Sequence, residues 1–410
     1  MTVDELRPGV VRGQADPAFA SAVAYFGRLF GPTSPGGGAL AVRLRGRPVV
    51  DVWAGFADRR LSRPWERDTV TICFSTTKGL ASTVVHRLAD RGLVDYATPV
   101  AHYWPEFAAA GKQKITVREL LTHQAGLHSM VGLVEKPMDL LDHLELERRL
   151  AARQAAPWTG RPGYHAFTYG WLTAGLARSV TGRGMAELVR SELADPLGTN
   201  GLAIGLPDDG LARFAPPLDR IPPVRRTPRM VADVSARYMP AFRRIAMTRR
   251  FFEALYVPGF DELFVGPSPL VLHTEMPAVN GVVSADGLAK LYAPMADQGR
   301  FAGAQFLSPS TVDAVSQVQT RAHDAVIGMR MNWRMGYHRA GAEGYRGDTA
   351  FGHYGFGGSG GWADPVTGLS FGFVTNDLRL IQAPVGGDRR IFRLSGLVLR
   401  LGRVLAGRAQ

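Results

Sequence analysis

The spacing of apolar residues predicts a helix at each end of the chain, with strands beside both. Residues 16–30 repeat apolar positions at helical spacing, and residues 39–58 hold two apolar runs that meet at Arg45-Gly46-Arg47. These patterns are typical of an amphipathic helix and of a β-hairpin. Strand-like runs return near the end of the chain, at 331–339, 349–365 and 368–376, with a turn at 364–368 and a final helical pattern from 389 onwards.

The middle of the chain has mainly helical periodicity. A helix is predicted over 76–93, with Gly92 as its C-cap, and more helices over 95–300. Within this stretch, residues 206–268 are basic, rich in proline and the least regular. We therefore expect one α/β domain of the α+β type over 1–410, in which an antiparallel sheet is flanked by the terminal helices. Its α/β lobe would comprise 16–95 and 300–410, and its mostly helical lobe 96–299.

Composition is that of a soluble globular protein, with 46% hydrophobic and 20% charged residues in 410. Cys73 is the only cysteine, so no internal disulfide can form, and the histidines show no metal-ligand spacing. We predict neither a metal nor a cofactor. The acidic start of the chain does not resemble a signal peptide, and no apolar run has membrane-spanning length, so a cytoplasmic location is expected.

The net charge of +12 comes mainly from arginine and is concentrated in residues 222–250 and 389–410. Both segments also carry interleaved apolar residues. They could attach the protein peripherally to an anionic membrane, or they could be docked amphipathic helices with a solvated basic face. No nucleic-acid-reading motif accompanies the charge, so a nucleic-acid partner is not expected.

The strongest chemical signal is Ser75-Thr76-Thr77-Lys78 at the start of the helix predicted over 76–93. A lysine three residues after a serine lies on the same helical face, where it can act as the base for a serine nucleophile. The start of the helix also directs free N–H groups toward a developing oxyanion. The alternative is an ordinary serine N-cap followed by a surface lysine.

Further stretches accompany this motif in a fixed order. They are residues 92–107, residues 115–127, the Trp158–Ala166 segment with Thr168 and 170–172, and Phe351–Ser359. Together they resemble the superfamily of serine β-lactamases, penicillin-binding proteins and family VIII carboxylesterases, with the family VIII enzymes the most similar. The resemblance extends from about residue 40 to 375 and implies the β-lactamase/transpeptidase-like fold.

The resemblance also implies roles for particular residues. Ser75 would be the nucleophile, Lys78 the group that lowers its proton affinity, and Tyr164 a proton relay to the leaving group and the hydrolytic water. Tyr169 is the competing tyrosine, although a core aromatic is the simpler interpretation of it. The oxyanion hole would use the backbone N–H groups of Ser75 and Phe356.

Two departures from the family pattern favour uncharged esters over penicillins as substrates. His353-Tyr354-Gly355 stands where β-lactamases carry a Lys-Thr/Ser-Gly motif, so a fixed cation is missing. Ala166 stands where an asparagine is expected. His353 and Gly355 would then contact the substrate, with His353 as a hydrogen-bond donor.

The resulting hypothesis is a serine esterase or lipase-like hydrolase that takes a small-molecule ester or lipid-like substrate. Acyl transfer, or weak β-lactamase or D-alanyl peptidase activity, could use the same site, and a catalytically silent membrane-associated scaffold is the alternative of another class. Gly357-Gly358-Ser359-Gly360-Gly361 also matches the nucleophile motif of α/β-hydrolases. However, no histidine follows residue 353 and no helix is predicted directly after Ser359, so we reject Ser359 as the nucleophile.

Overall fold

The computed structural model describes residues 10–31, 34–206, 210–219, 246–257, 259, 263–264, 268–378 and 388–407. Its strands are β1 (Arg12–Ala15), β2 (Gly37–Leu44), β3 (Arg47–Gly55), β4 (Thr71–Ile72), β5 (Leu202–Ile204), β6 (Leu218–Asp219), β7 (Gly281–Val283), β8 (Arg300–Phe301), β9 (Ala304–Gln305), β10 (His338–Arg339), β11 (Phe351–Tyr354), β12 (Gly360–Asp364), β13 (Leu369–Thr375) and β14 (Asp377–Leu378). Seven of them form an antiparallel sheet in the order β1-β3-β2-β13-β12-β11-β10.

Helices cover both faces of this sheet and build the region between its two halves. They are α1 (Ala20–Leu29), α2 (Thr77–Asp90), α3 (Val100–Tyr103), α4 (Val117–Leu121), α5 (His143–Ala152), α6 (Thr168–Thr181), α7 (Met185–Leu188), α8 (Ala246–Leu255), α9 (Ala285–Ala296), α10 (Pro309–Ser316) and α11 (Arg389–Gly407). Short 3₁₀ helices lie at Pro17–Phe19, Phe74–Thr76, Pro105–Gly111, Pro137–Leu141, Gly210–Arg213, Leu270–His273 and Phe356–Gly358, and a π-helical turn at Val189–Ala194.

The sequence of β13 explains how the two faces differ. Leu369, Phe371 and Phe373 alternate with smaller residues and are buried in the core that also contains side chains of α1 and α11. On the opposite face, a Cβ atom at Gly372 would lie 2.2 Å from the carbonyl oxygen of Ala285. Small residues on this face of the strand therefore let α9 pack directly against the sheet.

Most predicted elements are confirmed. The pattern over 16–30 forms a 3₁₀ turn followed by α1, and Asp16 caps this segment by accepting a hydrogen bond from the N–H of Ala18 at 2.8 Å. The hairpin is β2 and β3, joined at Arg45-Gly46, where both residues have positive φ. Helix α2 ends two residues before Gly92, which takes φ +72° as a C-cap glycine does.

Two predicted elements differ from the structure. Within 331–339 only His338–Arg339 form a strand, and the preceding residues form a loop. Moreover, the stretch predicted to be mainly helical contributes β5 and β7 to a small sheet with β4. Of the insert at 206–268, the described part includes α8, and residues 220–245 lie outside the described residues. The assignment of residues to two lobes stays a prediction.

The C-terminal basic segment is docked on the sheet as α11. Its residues Ile391, Leu394 and Val398 are buried in the same core as α1. Arg393 lies over the ring of Tyr25, with its guanidinium carbon 5.0 Å from the ring centroid. Much of the apolar face of α11 is thus used within the fold. Among the described residues, no helix is both long and apolar enough to cross a membrane.

Candidate active site

Ser75 lies in a strained turn between β4 and α2. Its neighbour Phe74 has φ +46°, a left-handed conformation that is uncommon for a bulky residue. The Phe74 ring is held between two others, with its centroid 6.0 Å from that of Phe264 and 5.6 Å from that of Phe356. Such strain persists only where the surroundings fix it, and it is concentrated at functional sites.

The two threonines of the Ser-Thr-Thr-Lys motif hold this turn in place. Thr77 Oγ1 donates to the carbonyl oxygen of Phe74 and accepts from the N–H of Gly281 at 2.8 Å. Thr76 Oγ1 donates to the carbonyl oxygen of Ser359 at 3.1 Å. The motif is therefore bonded to both β7 and the segment that precedes β12, which fixes Ser75 relative to the sheet.

Lys78 is completely buried, and its contacts are all to uncharged oxygens. Nζ donates to the carbonyl oxygens of Ala166 at 2.6 Å and Ala278 at 3.1 Å, and it lies 3.2 Å from Ser75 Oγ. Burial lowers the pKa of Lys78 well below its usual value of 10.5. Desolvation therefore favours the neutral amine, which can accept a proton.

Tyr164, rather than Tyr169, lies beside Ser75. Its phenol donates to Ser75 Oγ at 2.9 Å, and Lys78 Nζ lies 4.9 Å from the centroid of its ring. The phenol of Tyr169 instead lies 2.7 Å from Ser82 Oγ, within the core. Burial raises the pKa of Tyr164 above its usual range, so this phenol stays protonated.

The candidate oxyanion hole brings Ser75 and Phe356 to the same cavity. Phe356 begins the 3₁₀ turn Phe356–Gly358, two residues beyond the end of β11, rather than continuing the strand as predicted. The N–H of Gly355 is already bonded to the carbonyl oxygen of Ser359 at 2.8 Å. Gly355 itself packs against the serine turn, since a Cβ there would lie 2.1 Å from the carbonyl oxygen of Cys73. The approach of the two segments thus requires glycine.

His353 lines the cavity, and its role as a hydrogen-bond donor to the substrate stays a prediction. Nδ1 lies 3.0 Å from the carbonyl oxygen of Tyr354, which can only accept, so this nitrogen carries the proton. Burial, together with His338 and Lys78, lowers the pKa of His353 well below its usual value. Nε2 of the neutral ring then carries a lone pair, and it is buried with no hydrogen-bond partner among the described residues. In this tautomer the ring N–H is already used toward Tyr354, so donation to the substrate would need the other tautomer.

A mostly apolar cavity of about 280 Å³ opens at Ser75. Besides the predicted residues, its walls come from α8, from the loop before β10 and from the start of α11. They include Phe251, Leu255, Val326, Ile327, Met329, Met331, Trp333, Ile391 and Phe392. Two exposed arginines, Arg330 and Arg339, also line it, so the cavity does not lack positive charge as the loss of the motif lysine suggested.

Ser359, rejected above as a nucleophile, is buried in the sheet. Its Oγ accepts a hydrogen bond from the N–H of Thr375 at 3.2 Å, and the chain after it continues as β12 rather than as a helix. The hydroxyl of Ser359 is therefore used in contacts within the sheet.

Sequence reasoning missed most of the cavity wall. The missed side chains come from three distant segments, and they share no local period that could mark them as one surface. Asp324, which contacts both Tyr164 and Trp333, was also missed, because an acidic residue in an irregular loop carries no distinctive sequence signal.

Comparison with known proteins shows the family of this chain. The Beta-lactamase family model matches residues 31–394. The chain is 44% identical to the protein named Esterase/beta-lactamase LipL of Mycobacterium tuberculosis over 375 residues, which is 90% of this chain and 83% of LipL. It is also similar to the solved structures of a family VIII carboxylesterase (34% identity, TM-score 0.80) and of a penicillin-binding protein homologue from Caulobacter crescentus (31% identity, TM-score 0.81). Each structural match covers 96% of this chain and 100% of the other. The predicted resemblance and fold are thus confirmed, and the chain belongs to the β-lactamase family.

Proposed function

We propose that this protein is a serine hydrolase that cleaves uncharged carboxylic esters through an acyl-enzyme on Ser75. One observation carries the proposal: Ser75 Oγ, at an apolar cavity, lies within hydrogen-bonding reach of both Lys78 Nζ and the phenol of Tyr164. A nucleophile, a base and an acid therefore meet at one oxygen atom.

Lys78 is the base in the first step. A neutral amine has two N–H groups and one lone pair, and the carbonyl oxygens of Ala166 and Ala278 accept those two N–H groups. The lone pair is then left for the hydroxyl proton of Ser75. As Ser75 Oγ bonds to the ester carbonyl carbon, its proton passes to Lys78 Nζ, and the negative charge on the carbonyl oxygen is stabilised by the N–H groups of Ser75 and Phe356.

Tyr164 is the acid that completes acylation. Its phenol is protonated in the resting site and points at Ser75 Oγ, close to where the alkoxide departs. When the ester C–O bond breaks, the phenol proton passes to the alkoxide oxygen, and the protonated Lys78 returns a proton to Tyr164. Water then attacks the acyl-enzyme with the same two groups in reverse roles, which releases the acid and restores Ser75.

The cavity supports small esters with apolar groups as the substrate class. Its wall is built largely from aliphatic, methionine and aromatic side chains, which suit apolar acyl and alcohol groups. LipL is named an esterase, and the matched family VIII structure is a carboxylesterase. Lipid-like esters are an extension of this proposal, as is a cytoplasmic location with peripheral membrane contact through the basic segments.

Hydrolysis of p-nitrophenyl esters from acetate to palmitate tests the proposal. Wild type should turn over at least one ester, and Ser75→Ala should lose that turnover while keeping the thermal unfolding curve of the wild type. Ser359→Ala is the matched control and should retain activity. Turnover that survives in Ser75→Ala would contradict the assignment, and acyl transfer would be detected as product formed with added alcohol. If wild type showed neither turnover nor acyl transfer, the silent-scaffold alternative would replace the proposal.

Slow β-lactam hydrolysis is a second candidate, favoured by the two arginines that line the cavity. Arg330 and Arg339 are cations that could attract the carboxylate of a penicillin or a D-alanyl peptide. LipL is also named a β-lactamase. Nitrocefin hydrolysis by wild type and by Arg339→Gln tests this activity: the substitution should raise KM for nitrocefin and leave KM for an uncharged ester unchanged.

A further inference from the structure

Asp324 is a buried carboxylate next to the candidate site, and its side chain accepts four hydrogen bonds. Oδ1 accepts from the backbone N–H groups of Tyr164 at 3.1 Å, Val326 at 2.9 Å and Ile327 at 2.9 Å. Oδ2 accepts from Nε1 of Trp333 at 2.9 Å. The residue is only 1% exposed, so these bonds replace its contact with water.

The four donors belong to three separate parts of the site. Tyr164 supplies the phenol beside Ser75, Val326 and Ile327 form one wall of the cavity, and Trp333 lines the same cavity. A backbone bond from the N–H of Ala325 to the carbonyl oxygen of Pro162, 2.8 Å long, runs alongside. Asp324 is thus the common acceptor that joins the segment containing Tyr164 to the loop that forms one wall of the cavity.

The indole that Asp324 holds determines where the Tyr164 ring can lie. Trp333 is stacked on Tyr164 with a centroid separation of 5.7 Å and an angle of 11° between the planes. His353 is stacked on Tyr164 as well, with centroids 6.3 Å apart and an angle of 28°. Because the phenol must meet Ser75 Oγ at hydrogen-bonding distance, a shift of the indole would move the proton donor itself.

A merely structural role would not require this arrangement. Capping the turn at 325–327 needs a single acceptor oxygen, which a neutral serine or asparagine can also supply. Here all four donors among the described contacts are neutral N–H groups, so a buried carboxylate is held without a cation. Burying an unpaired carboxylate costs stability. Oδ2, moreover, accepts from Trp333, which is the side chain stacked on Tyr164.

We propose that Asp324 is a positioning residue that holds the Tyr164 phenol in line with the leaving group, through Tyr164's own backbone and through Trp333. This inference rests on the proposed function and deepens it. Asp324 does not touch the substrate; it acts through the proton donor. Its loss should therefore impair the step in which a proton reaches the leaving alkoxide.

Asp324→Asn is the variant that separates the roles of the two carboxylate oxygens. The asparagine oxygen can retain the three backbone donors, but its amide NH₂ then faces the Nε1–H of Trp333, and two donors repel. The indole should move off its stack on Tyr164. For ethyl butyrate, whose alkoxide needs a proton to leave, we expect kcat to fall by about 10- to 100-fold, with KM changed by less than about threefold.

Leaving-group dependence distinguishes positioning from general damage. p-Nitrophenolate leaves without a proton, so for p-nitrophenyl butyrate the loss in kcat/KM should be at least about tenfold smaller than for ethyl butyrate. A general structural defect would lower both rates by the same factor. Equal losses for the two esters, or wild-type kcat for ethyl butyrate in folded Asp324→Asn, would overturn the inference.

Trp333→Phe provides the matched second variant and a rescue. It removes the indole donor but keeps a flat ring against Tyr164, so alone it should lower kcat for ethyl butyrate less than Asp324→Asn does. In the double variant the asparagine NH₂ no longer faces an indole N–H. Its kcat for ethyl butyrate should therefore rise several-fold above that of Asp324→Asn. A double variant that shows the product of the two single losses would contradict the proposal. If Asp324→Asn does not fold, Trp333→Phe is still expected to show the larger loss for ethyl butyrate than for the p-nitrophenyl ester, and equal losses would again contradict it.

Labelling of Ser75 by a fluorophosphonate keeps this test separate from the proposed function. Fluoride needs little proton assistance, so Asp324→Asn should be labelled at nearly the wild-type rate. If wild type neither hydrolyses esters nor is labelled, the proposed function fails. If wild type does both and Asp324→Asn matches it on both esters, only the role of Asp324 fails.

Discussion

Two buried lysines of this protein have nearly the same surroundings and different consequences. Lys112 donates to the carbonyl oxygens of Ala109, Ala151 and Arg153, which close the end of α5 onto a neighbouring 3₁₀ helix. Lys78 donates to two carbonyl oxygens, and its third neighbour is the hydroxyl of Ser75. At Lys78, the hydroxyl of Ser75 thus takes the place of the third carbonyl acceptor found at Lys112.

Burial lowers the pKa of both lysines, and the acceptors around each one suit a different protonation state. Three carbonyl oxygens accept all three N–H groups of an ammonium, so Lys112 is satisfied only when charged, and burial lowers its pKa to about 8. Two carbonyl oxygens and a hydroxyl satisfy a neutral amine, and the pKa of Lys78 is lowered well below 10.5. The acceptors of Lys112 therefore suit the ammonium, whereas those of Lys78 suit the neutral amine that the proposed base requires.

The largest effect should follow removal of the amine that we propose as the base. Lys78→Met leaves Ser75 without a base, and kcat/KM for an ester should fall by about a thousandfold or more. Lys112→Met is the control, because it removes a second buried amine without touching the site, and its kcat/KM per folded molecule should equal that of wild type. Comparable losses in the two variants would break the distinction between the lysines.

The two tyrosines extend the comparison to the acid. Tyr164→Phe removes the proton donor, so kcat for an alkyl ester should fall by about a hundredfold. Tyr169→Phe removes only the hydrogen bond to Ser82 and should cost about 1 kcal/mol in the free energy of unfolding, with kcat changed by less than about threefold. Ester kinetics and urea unfolding of both variants would check these values, and a larger kinetic loss in Tyr169→Phe would reverse the assignment.

The pH dependence of kcat/KM sharpens the statement about Lys78. The neutral amine is the active form, so activity should be constant above the pKa of Lys78 and fall by about tenfold per pH unit below it. Because burial lowers this pKa well below 10.5, the plateau should extend well below that pH. A rate that keeps rising up to about pH 10, where an ordinary lysine loses its proton, would show that Lys78 is not neutralised.

The smallest effect concerns stability alone. Lys112→Met leaves three carbonyl oxygens without their donor, and the free energy of unfolding should decrease by about 2 kcal/mol. Urea unfolding of wild type and variant measures this change. A variant as stable as wild type would indicate that water replaces the amine and that the carbonyl contacts contribute little.

How much the sequence could predict follows from the range of the interactions. Ser75 and Lys78 are three residues apart on one turn, so local spacing was enough to propose them as partners, and their side chains do lie 3.2 Å apart. Tyr164 was predicted from family resemblance, and only the three-dimensional contact with Ser75, against that of Tyr169 with Ser82, separates the two tyrosines.

The remaining features depend on contacts between distant segments. The neutral state of His353 depends on burial next to His338, and the wall formed with α8 and α11 joins residues more than a hundred positions apart. Residues 331–337 alternate like a strand, but they form a loop whose Trp333 is held by Asp324. No local pattern carries this information, because each side chain is placed by a partner elsewhere in the chain.

The most direct test of the central claim is to find which residue carries the acyl group. The full-length protein is mixed rapidly with a p-nitrophenyl ester, quenched with acid and digested, and the peptides are then identified by mass spectrometry. In wild type the acyl group should be found on the peptide that contains Ser75, and in Ser75→Ala it should be absent. In Tyr164→Phe it should accumulate, because loss of the phenol slows deacylation. Ester turnover with the acyl group on another residue, such as Ser359, would contradict the account.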